Sequence, residues 1–408
     1  MSLSHLLTHL YSLTPNGIEL GLDRVRAVAA RLSHPEQRFP VIQVAGTNGK
    51  GTVCALLAHA AQSAGLKVGL FTSPHLHRFS ERIRVNGLEA DDRQLETHLA
   101  RVFKAGSDPD EIRLTFFEVA TLAALSIFAE NRVDLAILEV GLGGRLDATS
   151  VAAPCLTAVT SIGLDHQAYL GDTLSEIAKE KAAIARSDVP LVLGRLDRET
   201  LRATQAVARA KGAPIERLGE DFDLPSDITP RWPGQHQRDN TAVAWNLFRH
   251  MARMDSRCTT DVFKTAARTV NWPGRFEHLG TRPEHVLDCA HNPAAVAALA
   301  QTLEETGMRP DTLIFGALKD KPGPAMLAAL RPFVQQVVLM PPPISRACDP
   351  HRLAHRTDHV CPDAPSAIER ADRLTREAGA ILTTGSIFTV AAVRAVLLDE
   401  QTDPPVGL

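Results

Sequence analysis

Residues 39–65, FPVIQVAGTNGKGTVCALLAHAAQSAG, join an apolar run to an alanine- and leucine-rich run through a turn that holds three glycines and a lysine. Val41, Ile42 and Val44 read as a buried strand, and residues 53–64 have the length and composition of a helix. Between them Gly46, Gly49 and Gly51 lack a Cβ, so successive backbone N–H groups can close around an anion at the positive end of the helix. Lys50 supplies a point charge for phosphates, and Thr52 a hydroxyl where a nucleotide-bound Mg²⁺ sits. The spacing departs from the common phosphate loop, in which Lys directly precedes Ser or Thr. Here Gly51 intervenes and the loop is shorter.

Outward from this unit, strand-like runs at 68–72, 135–140, 156–161 and 190–193 alternate with helical or loop segments, the pattern of an α/β sheet. A helix over 240–251 closes this half. Asn271-Trp272-Pro273-Gly274 is a turn signal at a domain boundary, dividing the chain into 1–270 and 271–408. The pattern then restarts, with strands at 286–289, 312–316, 337–340 and 380–383 and helices after Asn292, Pro324, Pro365 and Phe388: a smaller Rossmann-like unit. Pro341, Pro342 and Pro343 cannot continue a strand and form a stiff loop.

Bulk properties narrow the function. A chain of 408 residues is long for one core, and 44% hydrophobic content is enough to bury two. A formal net charge of −3 with no basic block disfavours nucleic acid as a partner. The six cysteines form no CxxC pair, which suits a reducing compartment and argues against a zinc cluster. The longest apolar stretch, 114–129, is interrupted by Glu118, and the N-terminus lacks a basic segment followed by an apolar one. A cytoplasmic protein with no membrane partner is expected.

Several side chains fall where an α/β sheet binds ligands, beyond the C-terminal ends of its strands. Glu139 ends the run AILEV and is followed by GLGGRLDATS; a carboxylate there suits Mg²⁺, which prefers hard oxygen donors shared with phosphates. Ser73 in TSPHL and His166 in SIGLDHQAYLG follow two further strands, although imidazole is an unusual Mg²⁺ ligand. Lys179 and Lys181 lie on a charged helix, SEIAKEKAAIA, and composition does not rank them. In the second half WPGRFEH offers Arg275, and VLDCAHNP offers Asp288, His291 and Asn292 at a strand-to-helix turn. An arginine facing a triphosphate across a cleft offsets charge at the γ-phosphoryl group.

In this order the strings GTNGKGT, FTSPHLHRFSERIRVNG, TFFE, EVGLGGRLDATS, GLDHQAYLGDTLSEIAKEKAAI, GQHQRDN, WPGRFE, DCAHNP, FGALKDK and TGSIFTV resemble the folylpolyglutamate synthase and dihydrofolate synthase family, a branch of the Mur ligase superfamily. The resemblance covers nearly the whole chain. It implies an N-terminal P-loop ATPase domain and a smaller C-terminal Rossmann-like domain with ATP between them. It also implies a ligase that phosphorylates a substrate carboxylate and lets the amino group of L-glutamate attack the acyl phosphate. The implied partners are ATP, L-glutamate, dihydropteroate and reduced folates, and the implied state is a monomer.

By position, the resemblance makes Gly46, Thr47, Asn48, Gly49, Lys50, Gly51 and Thr52 the phosphate loop, and Ser73, Glu139, His166 and Thr52 the Mg²⁺ site. Lys181 matches a lysine that becomes carbamylated, Asn240 an adenine contact, and Arg275 and Asp288 the ATP contacts of the second domain. Thr115, Phe117 and Asp147 match a dihydropteroate site, which favours a bifunctional enzyme over one that only extends the glutamate tail. His291 and Ser386 fall in segments placed around the glutamate. The chain departs from the family's usual residues at Thr52, Ser150, Ala183, Cys289, Pro322 and Phe388. Two rivals weigh against this reading: a cell-wall Mur ligase, for which the 45 residues ahead of the phosphate loop are too few, and a non-catalytic nucleotide-binding module, which has no need of Ser73, Glu139, His166 and Lys181.

Overall fold

The computed structural model describes residues 2–14 and 19–404. Two sheets carry the architecture. The first has β1 (Val41–Ala45), β2 (Val68–Phe71), β3 (Ile83–Val85), β4 (Leu88–Glu89), β5 (Leu135–Glu139), β6 (Pro154–Val159), β7 (Leu191–Leu193) and β8 (Ile215–Arg217) in the order β4-β3-β2-β5-β1-β6-β7-β8. The second has β9 (Glu277–His278), β10 (Glu284–Leu287), β11 (Thr312–Phe315), β12 (Gln336–Leu339), β13 (His359–Val360) and β14 (Ala380–Thr384) in the order β13-β12-β11-β14-β10-β9. Both are parallel except at one edge, where β3 and β4 in the first sheet and β9 in the second run antiparallel. The long strands match the sequence expectations. The short ones at the edges escape them because two- and three-residue strands carry no period of their own.

Both faces of the first sheet are buried, so its central strands read as continuous apolar runs rather than as alternations. Ile42 and Val44 of β1 pack into one core with helices Lys50–Ser63, Gln235–Met254 and Thr260–Thr269. Val41 joins the opposite core with helices Leu3–Ser12, Asp23–Arg31, Asp92–Ser107 and Phe116–Glu130. Gln43, a polar residue within β1, is fully buried and donates through Nε2 to Thr149 Oγ1 and Ser150 Oγ, both at 2.9 Å, which ties the strand to the turn at Ala148–Val151. In the second sheet Leu313 and Phe315 face one core and Ile314 the other.

β1 lies between β5 and β6, and the chain leaves β1 and β5 on the same edge. That is the switch point at which an open α/β sheet makes its crevice. The apolar stretch 114–129 is accounted for by helix Phe116–Glu130, with Thr115 as its N-cap: Thr115 Oγ1 accepts from Glu118 N, and Glu118 Oε2 accepts from Thr115 N at 2.7 Å. Glu118 therefore interrupts the apolar run because it closes a capping box. No helix among the described residues is long and apolar enough to cross a membrane.

Candidate active site

Residues Gly46 to Thr52 wrap the end of β1 and enter helix Lys50–Ser63. Gly49 caps that helix at φ +88°, and a Cβ there would come within 2.2 Å of Asn240 Oδ1, so backbone sign and space both require glycine. This contact sets Asn240, on helix Gln235–Met254, against the loop. The loop is braced from β6: Thr47 N donates to Ser161 O at 2.7 Å, and Thr160 Oγ1 donates to Asn48 O at 2.6 Å. Lys50 Nζ donates to Gly46 O and Thr47 O at 3.0 and 3.1 Å, spanning the loop it belongs to. Gly51 faces the Glu139 carboxylate and Trp272, whose Nε1 would lie 3.3 Å from a Cβ at this position.

Glu139, at the end of β5, is 5% exposed and accepts from Ser73 N at 3.0 Å. Burial raises its carboxyl above the usual range, and Lys50, the Ser73 bond and Arg275 oppose that rise. Thr52 Oγ1 is buried and has no hydrogen-bond partner among the described residues. A buried hydroxyl with free lone pairs beside a carboxylate and a lysine-bearing phosphate loop is a donor set for a hard divalent cation. His166 sits in left-handed backbone at φ +51°, and burial, aided by Lys321, Lys50 and Lys181 against the pull of Asp165, pushes its imidazole down to about 4. It is neutral at neutral pH, with a lone pair to give.

The structure ranks the two lysines that composition leaves equal. Lys179 is exposed, whereas Lys181, in the last turn of helix Leu174–Ala182, is 5% exposed and donates to Gly46 O at 2.9 Å. Burial first, then Lys50, pushes its amine down to about 7.

From the second half, Arg275, Asp288 and His291 join Asn240, Ser73, Glu139, His166 and Lys181 around one cleft of about 300 Å³. Asp288 is largely spent on its own surroundings: Oδ2 accepts from Phe276 N and Oδ1 from Ala290 N, both at 3.0 Å. Its carboxylate thereby fixes the backbone next to Arg275. Ser386 lies apart from this group. It is 1% exposed, caps helix Ile387–Leu398 by accepting from Phe388 N at 3.2 Å, and does not line the cleft.

A second, larger cavity of about 620 Å³ holds Thr115, Phe117 and Asp147. Phe117 lies over Gly141, where a Cβ would come within 2.5 Å of its ring. Asp147 Oδ2 accepts from Gly141 N and Leu142 N, each at 2.9 Å, and so shapes the GLGG loop from within. Burial raises the Asp147 carboxyl above the usual range against those bonds. Sequence reasoning missed the apolar part of this wall. Of the seven exposed large hydrophobic side chains among the described residues, Leu20, Leu164 and Tyr169 all line this cavity, and nothing in their local pattern marks them. It also missed Asp165 and Lys321, an ion pair that joins the two halves. Gly141, Leu142, Asp165 and His166 line both cavities, so the two meet there.

The chain matches the Mur ligase middle domain over residues 44–222 and the Mur ligase glutamate ligase domain over residues 274–387. A dihydrofolate synthase/folylpolyglutamate synthase of Bacillus subtilis is 33% identical, over 93% of this chain and 95% of that protein. A probable bifunctional folylpolyglutamate synthase/dihydropteroate synthase of Haloferax volcanii is 34% identical over 94% of this chain, which spans about half (49%) of that relative's length. A structure of Escherichia coli FolC in complex with DHPP and ADP has a TM-score of 0.88 at 33% identity, covering 98% of both chains. A bifunctional folylpolyglutamate synthase/dihydrofolate synthase with Mn, AMPPNP and L-glutamate bound has a TM-score of 0.87 at 32% identity, again with 98% of both covered.

Proposed function

The chain belongs to the dihydrofolate synthase/folylpolyglutamate synthase family of Mur ligases, and from that premise we propose that it joins L-glutamate to dihydropteroate and to the glutamate tail of reduced folates at the expense of ATP. The observation that carries this reading is the meeting of the two cavities at Gly141, Leu142, Asp165 and His166. A carboxylate reaching out of the larger cavity arrives there beside the phosphate loop. The carboxylate oxygen attacks the γ-phosphorus and ADP leaves; the amine of glutamate then attacks the acyl carbon, loses a proton and expels phosphate. A carboxylate is a poor acyl donor and an acyl phosphate a good one, so the protein's task is to position reactants and offset charge.

The phosphate loop with Lys50 holds the triphosphate, Asn240 the base, and Arg275 and Asp288 approach from the second half. Thr52, Ser73, Glu139 and His166 would hold a divalent cation; such a cation, Mg²⁺ in this reading, neutralises charge on the phosphates. The unpaired Thr52 hydroxyl supports this. Lys181 suits carbamylation because an amine at about 7 keeps a neutral, nucleophilic fraction at neutral pH, which can add to CO₂ and release a proton. Leu20, Leu164, Tyr169 and Phe117 offer apolar faces for a pterin and aminobenzoate, in support of the bifunctional assignment of Thr115, Phe117 and Asp147. His291 is kept near the glutamate, whereas Ser386 acts through the helix it caps. We further assign domains at 1–270 and 271–408, a monomer, and a cytoplasmic location, in keeping with six free cysteines.

The test is ADP release with Mg²⁺, ATP and L-glutamate, comparing 7,8-dihydropteroate with tetrahydrofolate as acceptor. Turnover with both is expected. Turnover with tetrahydrofolate alone reduces the protein to a polyglutamating enzyme, and turnover with neither overturns the reading.

A further inference from the structure

Asn292 carries more hydrogen bonds than its place in the chain demands. It caps helix Pro293–Thr306, where Oδ1 accepts from Ala295 N at 2.9 Å, a task equally open to Asp, Ser or Thr. The side chain is 1% exposed and faces the phosphate loop of the other half. There Oδ1 also accepts from Asn48 Nδ2 at 3.2 Å, while Nδ2 donates to Asn48 Oδ1 at 2.9 Å and to Asp165 Oδ2 at 3.0 Å. A primary amide has two acceptor sites and two N–H donors, and all four are used. An aspartate would keep the cap but turn two lone pairs toward Asn48 Oδ1 and the Asp165 carboxylate. A serine would keep the cap and lose the reach.

The partner is equally constrained. Asn48 N donates to Ser161 Oγ at 3.0 Å, and Asn48 O accepts from Thr160 Oγ1 and Ser161 Oγ. With its backbone fixed to the end of β6, Asn48 has only its side chain to give across the gap. On the far side Asn292 lies four residues beyond Asp288. Asp288 holds Phe276 N, next to Arg275, and Ala290 N, while Ala290 O accepts from Gly385 N and Thr384 Oγ1 at the end of β14. The phosphate loop is therefore joined through Asn48 and Asn292 to the strand-to-helix turn that carries Asp288, and through the bond from Phe276 N to Asp288 to the separate turn that carries Arg275.

We propose that the reciprocal Asn48–Asn292 amide pair, braced by Asp165, is a positioning latch that registers the second half against the nucleotide loop and so aims Arg275, whose backbone Asp288 holds through Phe276 N, at the triphosphate. This rests on the nucleotide reading of the cleft given above. Asn292 is a positioning residue, acting through the loop and the turn it joins.

A double-mutant cycle tests it, with Asn48→Ala, Asn292→Ser and the double variant, read in AMPPNP affinity, in kcat and KM, and in melting temperature. Serine keeps the cap, so Asn292→Ser is expected to melt within a few degrees of wild type, which separates the latch from the fold. Asn292→Ser loses both bonds to Asn48 and the bond to Asp165 Oδ2; the two neutral bonds alone correspond to roughly a tenfold loss of AMPPNP affinity, with kcat falling and the KM for the folate acceptor unchanged. The double variant is expected to be no worse than the poorer single one, because either change breaks the same pair. Additive losses overturn the latch, as does an Asn292→Ser protein with wild-type affinity and kcat. Should wild-type protein bind AMPPNP yet turn over no folate acceptor, the ligase reading fails alone, and the affinity cycle still decides the latch.

Discussion

The nucleotide cleft and the larger cavity share a wall but are built in opposite ways. The cleft is centred on one contiguous motif whose backbone does the work, a glycine loop between a strand and a helix, with Glu139 ending β5 and Ser161 following β6 beside it. The cavity draws its lining from Leu20, Thr115, Leu142, Leu164, Tyr169, Pro322 and Arg346, which no local pattern unites. A site that binds phosphate needs fixed N–H groups and charges, which short motifs encode. A site that binds a flat ring needs only apolar faces at the right distance, and many sequences supply those.

The sharpest way to break this contrast is at the cleft. Lys50→Ala and Glu139→Ala should each cut ADP release by about 10³-fold or more, since each removes charge set against the transferring phosphoryl group; a variant near the wild-type rate would remove that role. Lys181 comes next. Its amine is held down at about 7 by burial and by Lys50, so protonation on the acid side of 7 removes the nucleophile that adds to CO₂. Turnover should therefore fall as pH drops through about 7, and stripping CO₂ from the buffer should slow wild type while leaving a residual Lys181→Ala rate unchanged. Insensitivity of wild type to CO₂ would exclude the carbamate.

Changes in the cavity should be smaller and selective. Tyr169→Ala is expected to raise the KM for dihydropteroate about tenfold, in line with an aromatic contact of ~1.5 kcal/mol, and to leave the KM for ATP within twofold. A matching rise for ATP would mean that the two sites do not act separately. The smallest effect belongs to Ser386→Ala, which should cost about 1 kcal/mol in denaturant unfolding through the lost cap, with the KM for glutamate unchanged. A raised glutamate KM at full stability would return Ser386 to the substrate site.

Much of this was legible beforehand, for reasons that differ by residue. That Gly49, Lys50, Glu139 and His166 gather at one cleft was legible because each follows or ends a strand whose flanking residues mark it. Lys181 could be told from Lys179 by resemblance alone, since two lysines on one helix differ only in which face the rest of the fold covers. Thr115 looked like a ligand contact and is first a helix cap. Asp165 and Lys321 stayed hidden because an ion pair between residues 156 positions apart leaves no local trace.

The sequence by itself determined the two α/β units, the glycine loop between β1 and its helix, and the family, because strand, turn and helix are coded over a few neighbouring residues. Only the tertiary structure decided which lysine is buried, which apolar side chains wall the larger cavity, and that Asn48 meets Asn292. Each of those depends on distances between segments far apart in the chain, which are set when the two sheets pack and not before.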